Sequence, residues 1–169
     1  MAAVLFVLSA GFVVYVLFGY PLLVAVLARF RSRPVARGLI RPSVSVLLPV
    51  SNGEAWLAAK LESILALDYP RELLQIIVIV NGSTDRSEEI ALRYAPRGVD
   101  LIRLERAGKA EAINAGLASA RGEILFFTDV RQPLDPASLA RLVECFADPA
   151  VGAASGELFI GEGETRAHA

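Results

Sequence analysis

Residues 1–28, MAAVLFVLSAGFVVYVLFGYPLLVAVLA, contain no charged side chain. As an α-helix rising about 1.5 Å per residue they would reach roughly 40 Å, enough to cross a hydrocarbon core with some tilt. A cleaved signal peptide would open on a basic segment and close on a small-x-small site. Here the start carries only the terminal amine, and Ala25-Val26-Leu27-Ala28 is a poor cleavage site. A helix buried in a soluble core would be shorter and would keep a polar face. Residues 1–28 therefore read as a transmembrane anchor, with Pro21 kinking the span or marking the interface near Tyr20.

The flank sets the orientation. Arg29, Arg31, Arg33, Arg37 and Arg41 follow, and no acid precedes Glu54. The positive-inside bias puts everything after residue 28 in the cytoplasm, with 29–42 as a basic juxtamembrane linker suited to anionic headgroups. All 18 acids lie beyond that linker, with 12 of the 17 bases, so the remainder is net acidic. Nucleic acid is excluded as a partner, because no basic face remains to neutralise phosphates. Cys145 is the only cysteine and His168 the only histidine. An internal disulfide, a multi-histidine metal site and a Ser-His triad drop out together.

From residue 43 onward, strand-like and helix-like periods alternate. Ser43–Pro49, Leu74–Val80, Asp100–Leu104, Glu123–Phe127 and Val151–Ile160 read as strands. Segments starting at Glu54, after Asp85, at Gly108 and at Pro136 read as helices. On the first of these, Leu57, Leu61, Ile64 and Leu65 fall on one side, with Trp56 at its margin. The near-continuous run LQIIVIV marks a strand covered on both faces. This order predicts an α/β domain with a mainly parallel sheet. In such sheets ligands bind beyond the carboxyl ends of the strands, where strand order reverses.

The residues at those ends are VSNGE at 50–54, NGSTD at 81–85, ERAGK at 105–109 and TDVR at 128–131. The loop VSNGEA lacks the glycines of a dinucleotide site. Gly108-Lys109 lacks both the earlier glycine and the following Ser or Thr of a P-loop. Taken singly, Ser83-Thr84-Asp85 also serves as a helix start, Asn52-Gly53 as a turn, and Lys109 as a solvated helix residue. Asp129 is harder to dismiss, since a carboxylate that ends a strand as apolar as ILFF needs a reason to be there.

In this order, Pro49-Val50-Ser51-Asn52-Gly53-Glu54, Asn81-Gly82-Ser83-Thr84-Asp85, the segment Gly108–Gly116, and Gly122-Glu123 leading to Thr128-Asp129 resemble the inverting family 2 glycosyltransferases of GT-A fold. The closer resemblance is to their membrane-bound branch, and it covers residues 43–160. It implies a Rossmann-like, mainly parallel sheet, the N-terminal half of a GT-A domain over 43–169, preceded by one transmembrane helix. It also implies a nucleotide-sugar donor, UDP-linked, and an acceptor, of unspecified kind, at the cytoplasmic membrane face.

By the same resemblance Pro49, Asn52 and Glu54 frame the nucleotide. Asn81 stands where the family has an aspartate that reads the uracil edge. Lys109 lies near the nucleotide and Asn114 lines the same cleft. Asp129 matches the first carboxylate of the family's Asp-x-Asp, and Arg131 occupies the place of the second. The family uses Mg²⁺ or Mn²⁺ there. A guanidinium cannot ligate a cation, so metal use is put in doubt and Asp129 is left as the possible ligand. Arg131 is the candidate to meet the diphosphate directly, against the alternatives of solvent or a pair with Asp135. The family's catalytic base and Gln-x-x-Arg-Trp segment lie further downstream than Ala169, so no catalytic residue is assigned. The chain reads as the anchor and donor half of a transferase, or alternatively as a non-catalytic nucleotide-binding or scaffold fragment.

Overall fold

The structure, a computed structural model, describes residues 1–31 and 33–156. It divides into two units, Met1–Val35 and a second that begins at Ala36. In the first, α1 (Ala2–Val14), a π-helical turn (Tyr15–Gly19) and α2 (Tyr20–Arg31) follow without a break. Ala2–Phe30 is long and apolar enough to cross a membrane. Pro21 has no N–H to offer the preceding turn. Just before it the backbone widens, and the Tyr20 N–H bonds the Tyr15 carbonyl five residues back. The apolar run thus absorbs its proline as a π turn, and the helix continues through Arg29 to Arg31.

The second unit is a parallel α/β structure. Its elements are β1 (Val44–Val50), α3 (Glu54–Leu65), β2 (Leu74–Asn81), α4 (Ser87–Arg93), β3 (Val99–Leu104), α5 (Lys109–Ser119), β4 (Ile124–Phe127) and α6 (Ser138–Val143). All strand pairs are parallel and the sheet order is β3-β2-β1-β4. The chain builds outward from β1 to β3, then returns to lay β4 on the other side of β1. Strand order therefore reverses between β1 and β4.

Burial follows position in the sheet. Val46, Leu47, Leu48, Ile76, Ile77 and Val78 on the two inner strands are fully buried, as strands covered on both faces must be. On β4, at the edge, Ile124 and Phe126 turn in while Leu125 and Phe127 remain exposed. One face packs Leu57, Leu61 and Ile64 of α3, Ala91 of α4, and Leu139 and Val143 of α6. The other face packs Ala112 of α5 on Leu47, Ile77 and Ile79.

Four strands are present among the described residues. Of the fifth expected strand, 151–156 carry no strand and the rest lies outside the described residues. The basic segment 29–42 does not behave as one linker. Arg29 and Arg31 belong to α2, while 36–42 run along the second unit. There Gly38 N–H donates to the Glu144 carbonyl, the Tyr69 hydroxyl donates to the Pro42 carbonyl, and Arg41 stacks on the Tyr69 ring. The last helix ends as a 3₁₀ turn, Glu144–Ala147, which holds Cys145 half-buried.

Candidate functional site

Pro49 decides where the cleft opens. Leu47 is the last β1 residue paired with β4, and its carbonyl accepts the Thr128 N–H at 3.2 Å. Two residues further on, the backbone again faces the β4 side, and there Pro49 has no N–H to extend the ladder. Beyond Leu47 the two strands part. The gap is bordered by the loops after β1 and β4, at the point where strand order reverses.

The loops after β1 and β2 are locked together by reciprocal hydrogen bonds. The backbone N–H groups of Asn52, Gly53 and Glu54 donate to Ser83 Oγ (3.1 Å), Ser87 Oγ (2.9 Å) and Asp85 Oδ2 (2.9 Å). In return, Thr84 N–H donates to Asn52 Oδ1 (2.9 Å) and Arg86 N–H to Glu54 Oε2 (2.8 Å). Asn52 adopts a positive φ of 51° to present its amide this way, a conformation asparagine tolerates. Asn52 and Glu54 thus fasten the loop after β1 to the loop after β2. The hydrogen bond from Arg86 N–H, then the Arg86 side chain, hold the Glu54 carboxyl below its ordinary value.

Asp85 serves two helices at once. One oxygen takes the Glu54 N–H at the start of α3, and the other takes the Ser87 N–H at the start of α4 (3.0 Å). Helix α4 accordingly begins two residues after Asp85. Burial raises this carboxyl, but the hydrogen bonds from Ser87 and the Glu54 amide outweigh burial and keep it below 3.8. Asp85→Ala leaves two helix starts without their acceptor and is expected to cost about 2 kcal/mol, roughly 1 per lost cap. Because the folded value is depressed, that contribution is present at neutral pH and fades only as pH falls below 3.8. Thermal melts of wild type and variant should differ at pH 7 and converge in acid.

Asn81 is tied to the backbone. Its Nδ2 donates to the Ala107 carbonyl (2.8 Å) and its Oδ1 accepts the Ala107 N–H (2.7 Å). These bonds tie the end of β2 to the loop after β3. They leave one N–H and one lone pair on the amide for anything else. Beside it Gly82 has φ 56°, and a Cβ there would sit 2.7 Å from the Glu105 carbonyl oxygen. Only glycine fits that turn.

Lys109 opens α5 at the same end of the sheet and is exposed. Asn114 is exposed on that helix about half a turn around from Ala112, which is buried against the sheet. The structure therefore brings Pro49, Asn52, Glu54, Asn81, Lys109, Asp129 and Arg131 to the carboxyl ends of the strands and leaves Asn114 on the outer side of α5.

After β4 the loop is compact. Asp129 is exposed, and its Oδ1 accepts the Arg131 N–H at 2.9 Å. Val130 turns inward toward Gly53, so the first and fourth loops touch. The Arg131 guanidinium stands 5.3 Å from the centre of the Trp56 ring. Its partner is thus an aromatic face on α3 rather than Asp135, whose carboxylate accepts the Ala137 N–H. Stacking occupies the face of the guanidinium and leaves its N–H edge available to an anion.

Lys60 was not anticipated as a member of this site. It is 1% exposed on α3, and its ammonium donates to Thr128 Oγ1 (2.6 Å) and to the Gln132 carbonyl. Burial lowers it to about 8, with the Asp129 carboxylate opposing the shift. Its signal was in the spacing, since Leu57, Lys60, Leu61 and Ile64 follow the i, i+3, i+4, i+7 pattern of a buried face.

Among the described residues no group of three or more His, Cys, Asp or Glu could hold a metal ion. Asp129 is the carboxylate next to the gap, and the Arg131 amide engages only its Oδ1. A hard cation fits this loop through one carboxylate oxygen, provided a ligand's phosphates and water complete the shell.

A family model described as "Glycosyl transferase family 2" matches residues 45–168. "Probable glycosyltransferase YdaM" of Bacillus subtilis is 32% identical over 95 residues, covering 52% of this chain and 22% of its own length. The mannosyltransferase PcManGT from Pyrobaculum calidifontis, solved with GDP-Man and Mn²⁺, superposes with a TM-score of 0.72 at 34% identity. That match covers 82% of this chain and 43% of the other. Staphylococcus aureus TarS in complex with UDP gives a TM-score of 0.56 at 25% identity, over 60% of this chain and 31% of the other. The chain spans less than a third of the length of the curated relatives it matches.

Proposed function

The chain belongs to glycosyl transferase family 2, and on that premise we propose that its cleft binds the nucleoside-diphosphate end of a sugar donor, UDP-linked, for transfer to an acceptor at the cytoplasmic face of a membrane. The observation that carries this reading is Asp129, an exposed carboxylate directly after β4 beside the gap that Pro49 leaves in the sheet. Asp129 contacts the nucleotide sugar. Arg131, with its face on Trp56, turns its N–H edge to the diphosphate, and Lys109 adds charge from the start of α5. Asn81 offers the base its remaining donor and acceptor, while Asn52 and Glu54 keep the wall in shape. Asp129 would hold Mg²⁺ or Mn²⁺, which when bound neutralises the leaving diphosphate. Ala2–Phe30 is the anchor, and the arginines that follow it keep the α/β unit on the cytoplasmic side.

Two observations favour variants of this reading. The 34% identical neighbour holds GDP-Man, which favours guanine over uracil. Arg131 in place of a second carboxylate favours a non-catalytic nucleotide-binding or scaffold role. Calorimetry of the full chain in detergent with UDP, GDP and their sugars, each with Mn²⁺, Mg²⁺ or EDTA, tests all of these. Saturable binding of one nucleotide supports the donor site and names the base. Binding that survives EDTA and drops at least tenfold in Arg131→Ala assigns the diphosphate charge to the guanidinium. Absence of binding in a folded sample rejects the donor site.

A further inference from the structure

The buried Lys60 ammonium is spent on a single loop. Both of its oxygen partners, Thr128 Oγ1 and the Gln132 carbonyl, belong to the segment after β4, and they bracket Asp129 and Arg131. An ammonium removed from water must recover strong oxygen partners, and an aliphatic residue would pack against Leu57 and Leu61 without that requirement. Lys60 therefore does not serve the core it sits in. It reaches from α3 through that core to the loop.

The rest of the loop is tied at other points. Thr128 N–H donates to the Leu47 carbonyl, and Arg131 N–H donates to Asp129. Val130 meets Gly53, and Arg131 lies on Trp56. Two of these contacts lead back to α3 or the residue before it, and Asp85 caps the start of that helix. Helix α3 thus acts as a spine to which the loops after β1, β2 and β4 are all fastened. Lys60 is its deepest fastening.

We propose that Lys60 is a positioning residue. It clamps Thr128 and Gln132, and thereby holds Asp129 and Arg131 in the geometry the donor diphosphate requires. The clamp itself stands on the contacts above. Its consequence for binding rests on the donor-site reading, and the experiment separates the two.

Amide hydrogen exchange is followed on the full chain in detergent for wild type, Lys60→Met, Thr128→Val and Thr128→Ser, alongside affinity for UDP and GDP with Mn²⁺. Lys60→Met keeps the aliphatic volume and removes the donors. Thr128→Val keeps the ammonium and removes one acceptor, and it decides the matter if the methionine variant fails to fold. Thr128→Ser retains the acceptor oxygen and is expected to match wild type. Both disruptive variants are expected to speed exchange across 128–132 at least tenfold while β1 and β2 keep their protection, and to weaken nucleotide binding at least tenfold. Unchanged exchange in 128–132 for Thr128→Val, or loss of protection spread evenly over the unit, overturns the clamp. A loosened loop with undiminished nucleotide affinity overturns the positioning role. A loosened loop in a chain whose wild type binds neither nucleotide supports the clamp and rejects the donor site instead.

Discussion

Gly122→Ala is expected to unfold the α/β unit or leave it barely stable. A Cβ on residue 122 would lie 2.4 Å from the Ser45 nitrogen and 2.6 Å from the Val44 carbonyl carbon. Both are backbone atoms of β1, an inner strand, so neither can turn aside as a flexible side chain would. The same approach carries a network. Ser45 Oγ, fully buried, accepts the N–H groups of Arg121 (3.1 Å) and Gly122 (2.8 Å) and donates to Gln75 (2.7 Å). Pushing the turn outward to relieve the clash breaks those bonds and pulls β4 off β1, whose pairing begins at Val44 and Ile124. Overpacking and broken buried hydrogen bonds together cost on the order of 3–5 kcal/mol, a large share of a domain's total of about 5–15. Circular dichroism melts of the full chain in detergent measure this. A variant within a few degrees of wild type would mean the turn can move away from β1 at little cost.

Asp129→Ala is expected to have the largest effect on nucleotide-sugar binding, a loss of at least tenfold, or about 1.4 kcal/mol. The substitution removes two things together: the carboxylate charge, and the Oδ1 acceptor that shapes the loop through the Arg131 N–H. Asp129→Asn separates them, because an amide oxygen can still accept that bond while the charge is gone. If the carboxylate holds a cation, the asparagine variant loses the Mn²⁺-dependent part of the affinity and keeps the rest. If the residue mainly shapes the loop, Asn binds as wild type does and Ala does not. Equal affinity in all three forms would remove Asp129 from the site.

The elements were legible because their signals are local. A run such as LQIIVIV marks a strand covered on both faces, and β2 is buried from Ile76 to Val80. The alternation of such runs with helical periods implies parallel strands, and all three strand pairings are parallel. Boundaries were less legible, since they depend on partners outside the segment. Helix α4 starts at Ser87 because Asp85 is shared with the start of α3 in the neighbouring loop. Residues 36–42 resembled a linker because arginines and prolines look alike whether free or docked, and the Tyr69 hydroxyl that holds Pro42 lies 27 residues away.

The candidate site divides the same way. The kinds of residue at the strand ends, and the order in which they occur, were fixed by the chain itself: Asp129 after an apolar run, Arg131 two positions on, and Asn-Gly turns at 52–53 and 81–82. What each side chain touches was decided only by folding. Asn81 spends half its amide on Ala107, Arg131 rests on Trp56 rather than Asp135, and Lys60 crosses 68 residues of sequence to reach Thr128. The physical reason is that periodicity and turn chemistry act over a few neighbouring residues. A buried ammonium or a shared cap, in contrast, is settled by which distant oxygen and amide the packed sheet happens to bring within 3 Å.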